Sequence, residues 1–196
     1  MHIERKDIMK KKLLVCALLT CCLALMAYGT VAYFTSQDTA TNVITAGNIK
    51  IELKEMAVQS DGGELIPFED QTGVMPGAQI SKIVTVVNTG SNEAYIRVAV
   101  EKAIELAGDA EGDADLSLVT MDMNKEHWTE KDGYYYYNEP LEAGAETKPL
   151  FTTVSFAKEM DNLYQGSTAK IDVNAQATQA ANNGDSVFDA AGWPEK

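Results

Sequence analysis

Histidine and cysteine are almost missing from this chain. It has two histidines, His2 and His127, and three cysteines, Cys16, Cys21 and Cys22, which all lie near its start. A zincin centre needs two histidines one helical turn apart with a glutamate, so that both imidazoles ligate the metal and the carboxylate activates water. His127 alone cannot supply that geometry, and no cysteine lies near enough in sequence to substitute. A Ser-His-Asp triad could form only around His127, whose neighbours Glu126 and Trp128 offer no nucleophile elbow. Past Cys22 there is also no thiol for a disulfide or a thiolate metal site. Basic residues are scarce as well, 16 Lys and Arg against 29 Asp and Glu for a net charge of −13. That balance excludes the basic footprint that nucleic acid or anionic lipid requires. No catalytic residue and no cofactor is expected.

Long apolar runs are limited to one. Lys10, Lys11 and Lys12 precede Leu13 to Ala27, which leads into Tyr28-Gly29-Thr30-Val31-Ala32-Tyr33-Phe34. A basic stretch, an apolar stretch and small residues near its end describe a secretory signal peptide. The run to Ala27 falls short of the roughly 20 apolar residues that span a bilayer. Counted to Phe34 it just spans, so an uncleaved form would be held in the membrane by this segment and by nothing else. Ala27 and Gly29 satisfy a small-x-small rule for cleavage before Thr30, and Thr30 with Ala32 satisfy it before Tyr33. Leu18-Leu19-Thr20-Cys21 imitates a lipobox, but Thr20 is a poor residue before a modified cysteine, and the three cysteines read as apolar filler. Residues 1–29 carry five basic residues against Glu4 and Asp7, so their removal takes the charge from −13 to −16. No LPxTG-like sorting motif appears. The expected product is an acidic, exported, single-domain chain of ordinary size.

Beyond the signal the pattern is alternation. Asn48 to Lys54 places Ile49, Ile51 and Leu53 on one face and polar groups on the other, a half-buried strand. Ile80 to Val87 and Ala94 to Ala103 are β-branched runs separated by the turn cluster Asn88-Thr89-Gly90-Ser91-Asn92. Leu116 to Met121 predicts another short strand. Asp132-Gly133, before Tyr134-Tyr135-Tyr136-Tyr137, is the sequence of a tight hairpin turn. Phe151 to Phe156 and Lys170 to Thr178 complete the set. Met56 to Ala78 reads as a surface excursion, and Leu106 to Asp115 as an acidic connection. Phe156, Met160 and Leu163 have the spacing of one short helix. The prediction is an all-β antiparallel sandwich. Its divisions are a signal peptide at 1–32, an N-terminal segment at 33–47, a sandwich at 48–180 and a loosely held tail at 181–196.

Gly29-Thr30-Val31-Ala32-Tyr33-Phe34-Thr35, then Asn42, then Thr45-Ala46-Gly47-Asn48-Ile49, resembles the exported TasA/camelysin family of biofilm-matrix proteins. Pro76-Gly77, Val84 to Gly90, Tyr95-Ile96-Arg97, Trp128, Asp132 to Tyr136, Leu150-Phe151, Ile171 to Gln179 and Asn182-Asn183 extend the likeness along the chain. The resemblance implies processing near Tyr33 and Phe34 by a dedicated signal peptidase, SipW, and a jelly-roll-like β-sandwich at the cell surface or in the matrix. It also implies partners: further copies of the same chain, with other matrix proteins beside them. In fibre-forming members a subunit's N-terminal segment pairs with its neighbour's sheet. Two departures stand out. The acidic residue that usually follows the aromatic is displaced to Asp38, and the chain is nearer camelysin in length than the founding fibre protein.

Phe34, Val43, Ile44, Ala46 and Gly47 are therefore the candidate assembly residues. Tyr33 to Ala46 is rich in β-branched residues and free of internal Gly and Pro, so it suits an extended strand. Such a strand can add to a neighbour's sheet edge, with Thr45-Ala46-Gly47 as hinge, or close its own sandwich. Asp109, Glu111, Asp113 and Asp115 alternate like an oxygen-rich calcium loop. However, the positions that need a Gly and a bidentate acid hold Ala114 and Thr120. Tyr134 to Tyr137 present alternate rings to opposite faces, one pair for the core and the other for the surface. The alternative functions are a surface adhesion or carbohydrate-binding module, carried by the tyrosines, and a camelysin-like secreted peptidase, carried by the resemblance alone.

Overall fold

A computed structural model describes residues 42–45, 49–59, 63–69, 76–107, 112–164 and 166–194. Strand accounts for 47% of the described residues and helix for 4%, an all-β composition. The strands are β1 Asn42–Thr45, β2 Ile51–Val58, β3 Leu65–Pro67, β4 Gln79–Ser81, β5 Ile83–Asn88, β6 Ala94–Glu105, β7 Val119–Met121, β8 Trp128–Lys131, β9 Tyr134–Tyr137, β10 Thr153–Phe156 and β11 Thr168–Gln179. They form a five-stranded sheet in the order β1-β11-β6-β9-β8 and two three-stranded sheets, β4-β10-β7 and β3-β2-β5. Every pairing is antiparallel except that of β1 with β11, which is parallel.

The two small sheets are bound into one layer by residues 145–152, which run beside β5. Leu150 N donates to Val84 O at 2.8 Å, Thr147 N to Val86 O at 2.9 Å and Asn88 N to Ala145 O at 2.9 Å. Strand alternation then decides which side chains meet. Ile51 and Leu53 of β2, Val84 and Val86 of β5, and Leu150, Phe151 and Val154 share one core with Ile96, Val98, Val173, Ala175 and Ala177 of the large sheet. Phe151, Ile96, Val84, Val86 and Val98 are fully buried.

The hairpin between β8 and β9 turns where expected. Asp132 and Gly133 have φ of 52° and 78°, and Lys131 pairs with Tyr134 across them. Two successive positive φ values match the right-handed twist of the flanking strands, and Asp-Gly supplies them at low cost. The turn cluster after β5 is fixed by Asn88, which is fully buried. Its amide donates to Asn92 O at 2.8 Å and Leu141 O at 2.9 Å, while its oxygen accepts from Gly90 N at 3.0 Å.

Five expectations are corrected. The run Ile80 to Val87 is broken at Lys82, between β4 and β5. Lys82 is buried and its ammonium meets Glu55 of β2 at 2.9 Å beneath the Phe68 ring. A charge taken from water must reach its partner, so the strand is interrupted there. Leu116 to Met121 is not all strand. Leu116–Leu118 is a 3₁₀ turn, because the Asp115 carboxylate accepts from Ser117 N at 2.9 Å and offers the backbone a local alternative to a ladder. The helical spacing at Phe156, Met160 and Leu163 gives no α-helix. Phe156 N and Ala157 N already donate to Ala78 O and Leu118 O, leaving a 3₁₀ turn at Asn162–Tyr164. The excursion from Met56 to Ala78 is in part a hairpin of β2 with the exposed β3.

The loosely held tail is the largest correction. Residues 180–194 pack on the outer face of the large sheet, where Val187 is 1% exposed and Tyr95 and Tyr136 are buried beneath it. Asn183 knots the segment together. Its amide donates to Gln179 O and Ala191 O, and its oxygen accepts from Ala191 N at 2.8 Å.

Asp122 ties β7 to β10 and gives the fold an acid-sensitive point. Its carboxylate accepts from the Thr152 hydroxyl, from Thr152 N at 2.8 Å and from Thr153 N at 2.7 Å. Burial pushes its pKa up, but these hydrogen bonds together outweigh burial and hold it below the ordinary 3.8. A depressed native pKa contributes stability that is present above the unfolded value and lost as pH falls through the native one. Thermal melts should therefore decline steadily below about pH 4, and Asp122→Asn should flatten that decline. An unchanged acid limb in the variant would place the sensitivity elsewhere.

Candidate assembly edge

β11 pairs with β6 along its whole length, from Thr168 opposite Glu105 to Gln179 opposite Ala94. Among the described residues its other edge is taken in part. β1 covers Asn174 to Ala177, with Asn42 opposite Asn174, Val43 opposite Ala175, Ile44 opposite Gln176 and Thr45 opposite Ala177. No strand among the described residues lies beside Thr168 to Val173 on that side. An unpaired row of N–H and C=O groups is a template for another extended chain. β11 exposes Thr168, Ala169 and Asp172 and half-exposes Lys170. Lys170 is bonded to Glu105 of β6, and its pKa is raised chiefly by that hydrogen bond and charge, with Asp172 adding to it.

The opposite end of the same sheet is guarded. β8 is four residues long, and Thr129, Glu130 and Lys131 are exposed along it. A short, charged edge is how sheets resist further pairing. Beside β8 opens a groove of about 550 Å³, lined by Met121, Met123, Trp128, Tyr135 and several polar side chains. The Tyr135 phenol has its pKa raised, first by burial and then by Glu130.

The remaining candidate residues are dispersed. Val43 and Ile44 sit in β1. Gly29, Thr30, Ala32, Tyr33, Phe34, Ala46, Gly47, Asp109 and Glu111 lie outside the described residues. Asp113 and Asp115 are exposed, and Asp115 caps a 3₁₀ turn, its pKa lowered mainly by the Ser117 hydrogen bonds. Among the described residues no three His, Cys, Asp or Glu side chains gather closely enough to share a metal. His127 engages through its backbone, accepting from Asn138 N at 2.9 Å and donating to Asn124 Oδ1 at 3.3 Å.

The tyrosines divide as alternation requires. Tyr135 and Tyr137 join the main core, whereas Tyr134 and Tyr136 join the outer cluster under residues 180–194. Sequence reasoning missed Arg97 here. Its guanidinium lies 4.0 Å from the Tyr134 ring and 4.5 Å from the Trp193 ring, and its Nε donates to Gln176 Oε1 at 2.7 Å. An arginine in the midst of the β6 apolar run was the available signal. Its guanidinium covers one face of the Tyr134 ring, and Tyr136 is buried in the outer cluster.

No family model, no curated protein and no solved structure matches the chain.

Proposed function

We propose that this protein is a secreted structural component of the cell surface or biofilm matrix, of the TasA/camelysin kind, built on a jelly-roll-like sandwich. In this reading signal peptidase frees its N-terminus, and copies assemble into fibres when each N-terminal segment adds to the β11 edge of a neighbour. One observation carries the reading. β11 is a twelve-residue strand whose second edge is occupied, among the described residues, over four residues, and the occupant is β1, the first described strand. A contact that one chain makes with itself can be made by an identical neighbour when the connecting residues extend, which is the logic of domain swapping. The parallel β1 pairing fits that exchange, and within the five-stranded sheet the guarded β8 edge leaves β11 as the accepting end.

The test is deletion of Phe34 to Thr41 from the secreted protein. Electron microscopy and sedimentation should show polymers for the parent and monomers for the deletion, with the β-rich circular dichroism of the parent retained. Persisting polymers would move assembly to another surface. An unfolded deletion would make the segment part of its own chain's core.

A further inference from the structure

The β2–β3 hairpin exposes apolar side chains on both of its faces. Val58 stands opposite Leu65 and Ala57 opposite Ile66, so Val58 and Leu65 share one face and Ile66 takes the other. Leu65 is 54% exposed, Val58 45% and Ile66 38%, so none of the three is covered by its own fold. The backbone of this edge is a poor strand acceptor. Gln59 N donates to Glu64 O and Phe68 N to Glu55 O. Ladder bonds alternate, so Glu64, Ile66 and Phe68 turn their backbone groups towards β2 while Leu65 and Pro67 turn theirs outward. Pro67 has no N–H to offer there. What the edge presents to a partner is a wedge of aliphatic side chains.

β3 ends one side of the small layer, and the groove beside β8 opens at the other. The layer runs β3, β2, β5, then residues 145–152 continuing into β10, and lastly β7. The groove of about 550 Å³ lies between β7 and the β8–β9 hairpin of the large sheet. Met121 and Met123 form its wall on the small layer, and Trp128 and Tyr135 its wall on the large sheet. Methionine side chains are unbranched and polarizable, so that wall can reshape around what enters. Charge agrees with shape: Lys125 is exposed where it lines the groove, and Glu64, beside Leu65, is exposed on the hairpin. The wedge has an apolar face for each wall and an acid for the lysine.

We propose that the groove between β7 and β8 receives the β2–β3 hairpin of a second copy of the chain, with Leu65 buried against Met121 and Met123. Hairpin and groove lie on opposite edges of one layer, so a chain cannot fill its own groove. The contact is head-to-tail. A copy that gives its hairpin keeps its groove open for the next, and growth does not stop at a pair. This contact is made by side chains and does not rest on strand donation.

The test is disulfide trapping. Past Cys22 the sequence has no cysteine, so in the full chain with Cys16, Cys21 and Cys22 replaced by serine an introduced pair of thiols reports one contact. Leu65→Cys and Met123→Cys, made in separate chains and mixed, should crosslink under mild oxidation roughly tenfold faster than either variant alone, because docking raises the local concentration of the two thiols. Leu65→Asp in the otherwise unaltered chain should raise the concentration at which copies associate, followed by sedimentation, by roughly tenfold or more. Leu65 is exposed, so that variant should keep the parent's melting temperature and circular dichroism. Deleting Phe34 to Thr41 should leave the crosslink in place, which separates this contact from strand donation. If Leu65→Cys crosslinks to itself faster than the mixture does, two hairpins meet about a twofold axis and the groove is not their site. If the mixture crosslinks no faster than either variant alone, or if the Leu65→Asp chain associates like the parent, the proposal fails.

Discussion

Phe151→Ala is expected to destabilise the domain by about 3–5 kcal/mol, the range for removing a fully buried aromatic ring from a core that relaxes only partly. Phe151 is 0% exposed and belongs to the cluster that joins all three sheets. Its carbonyl accepts from Val84 N at 3.1 Å, so its backbone also holds the 145–152 segment against β5. The ring lies where the two small sheets become one layer, and a void there is felt by both. The loss should read as a fall in melting temperature of roughly 10 °C or more for a chain of this size. Urea denaturation gives the free energy directly. A loss below about 1 kcal/mol would mean that the neighbours close over the site and that Phe151 is not the centre of the core.

Truncation after Gln179 carries the second large effect. The segment it removes buries Tyr95 and Tyr136, contributes Val187 and Trp193, and holds Arg97 through Pro194 O and the Trp193 ring. Returning two aromatic rings to water costs about 1.5–3 kcal/mol each, partly offset by the chain freedom regained. A net loss near 2–3 kcal/mol, or roughly 5–10 °C, follows for a domain of this size. The uncovered tyrosines should also bind an apolar dye that the parent does not. The far-ultraviolet β signal should survive, because the main core lies on the other face of the sheet. An unchanged melt and no dye binding would restore the loosely held tail.

Part of this was legible in the sequence because it is local. Alternation in β2, β6 and β11 states which residues face inward, and burial follows it from Ile51 to Leu53 and from Glu101 to Glu105, whereas Ala94 to Ile96 and Ala175 to Thr178 are buried on both faces. Asp132-Gly133 states its turn through the φ values that only such residues adopt cheaply. The tail misled because Ala, Asn and Gly are also loop residues. Nothing local says that Asn183 will close a knot with Gln179 and Ala191, or that Val187 will find Tyr95 and Tyr136. Lys82 misled in the same way: its burial depends on Glu55 and Phe68, which lie far away along the chain.

The candidate edge divides along the same line. The sequence by itself determined that the Tyr33 to Ala46 segment suits an extended strand and that β11 alternates, since both depend on side-chain branching and a period of two. Only the tertiary structure decided that β1 pairs in parallel with β11, and in which register. Pairing between segments so far apart is set by the sheet that β6 and β11 build together. Backbone hydrogen bonds are alike at every position, so the choice of partner and alignment falls to the packed faces and charges around the edge.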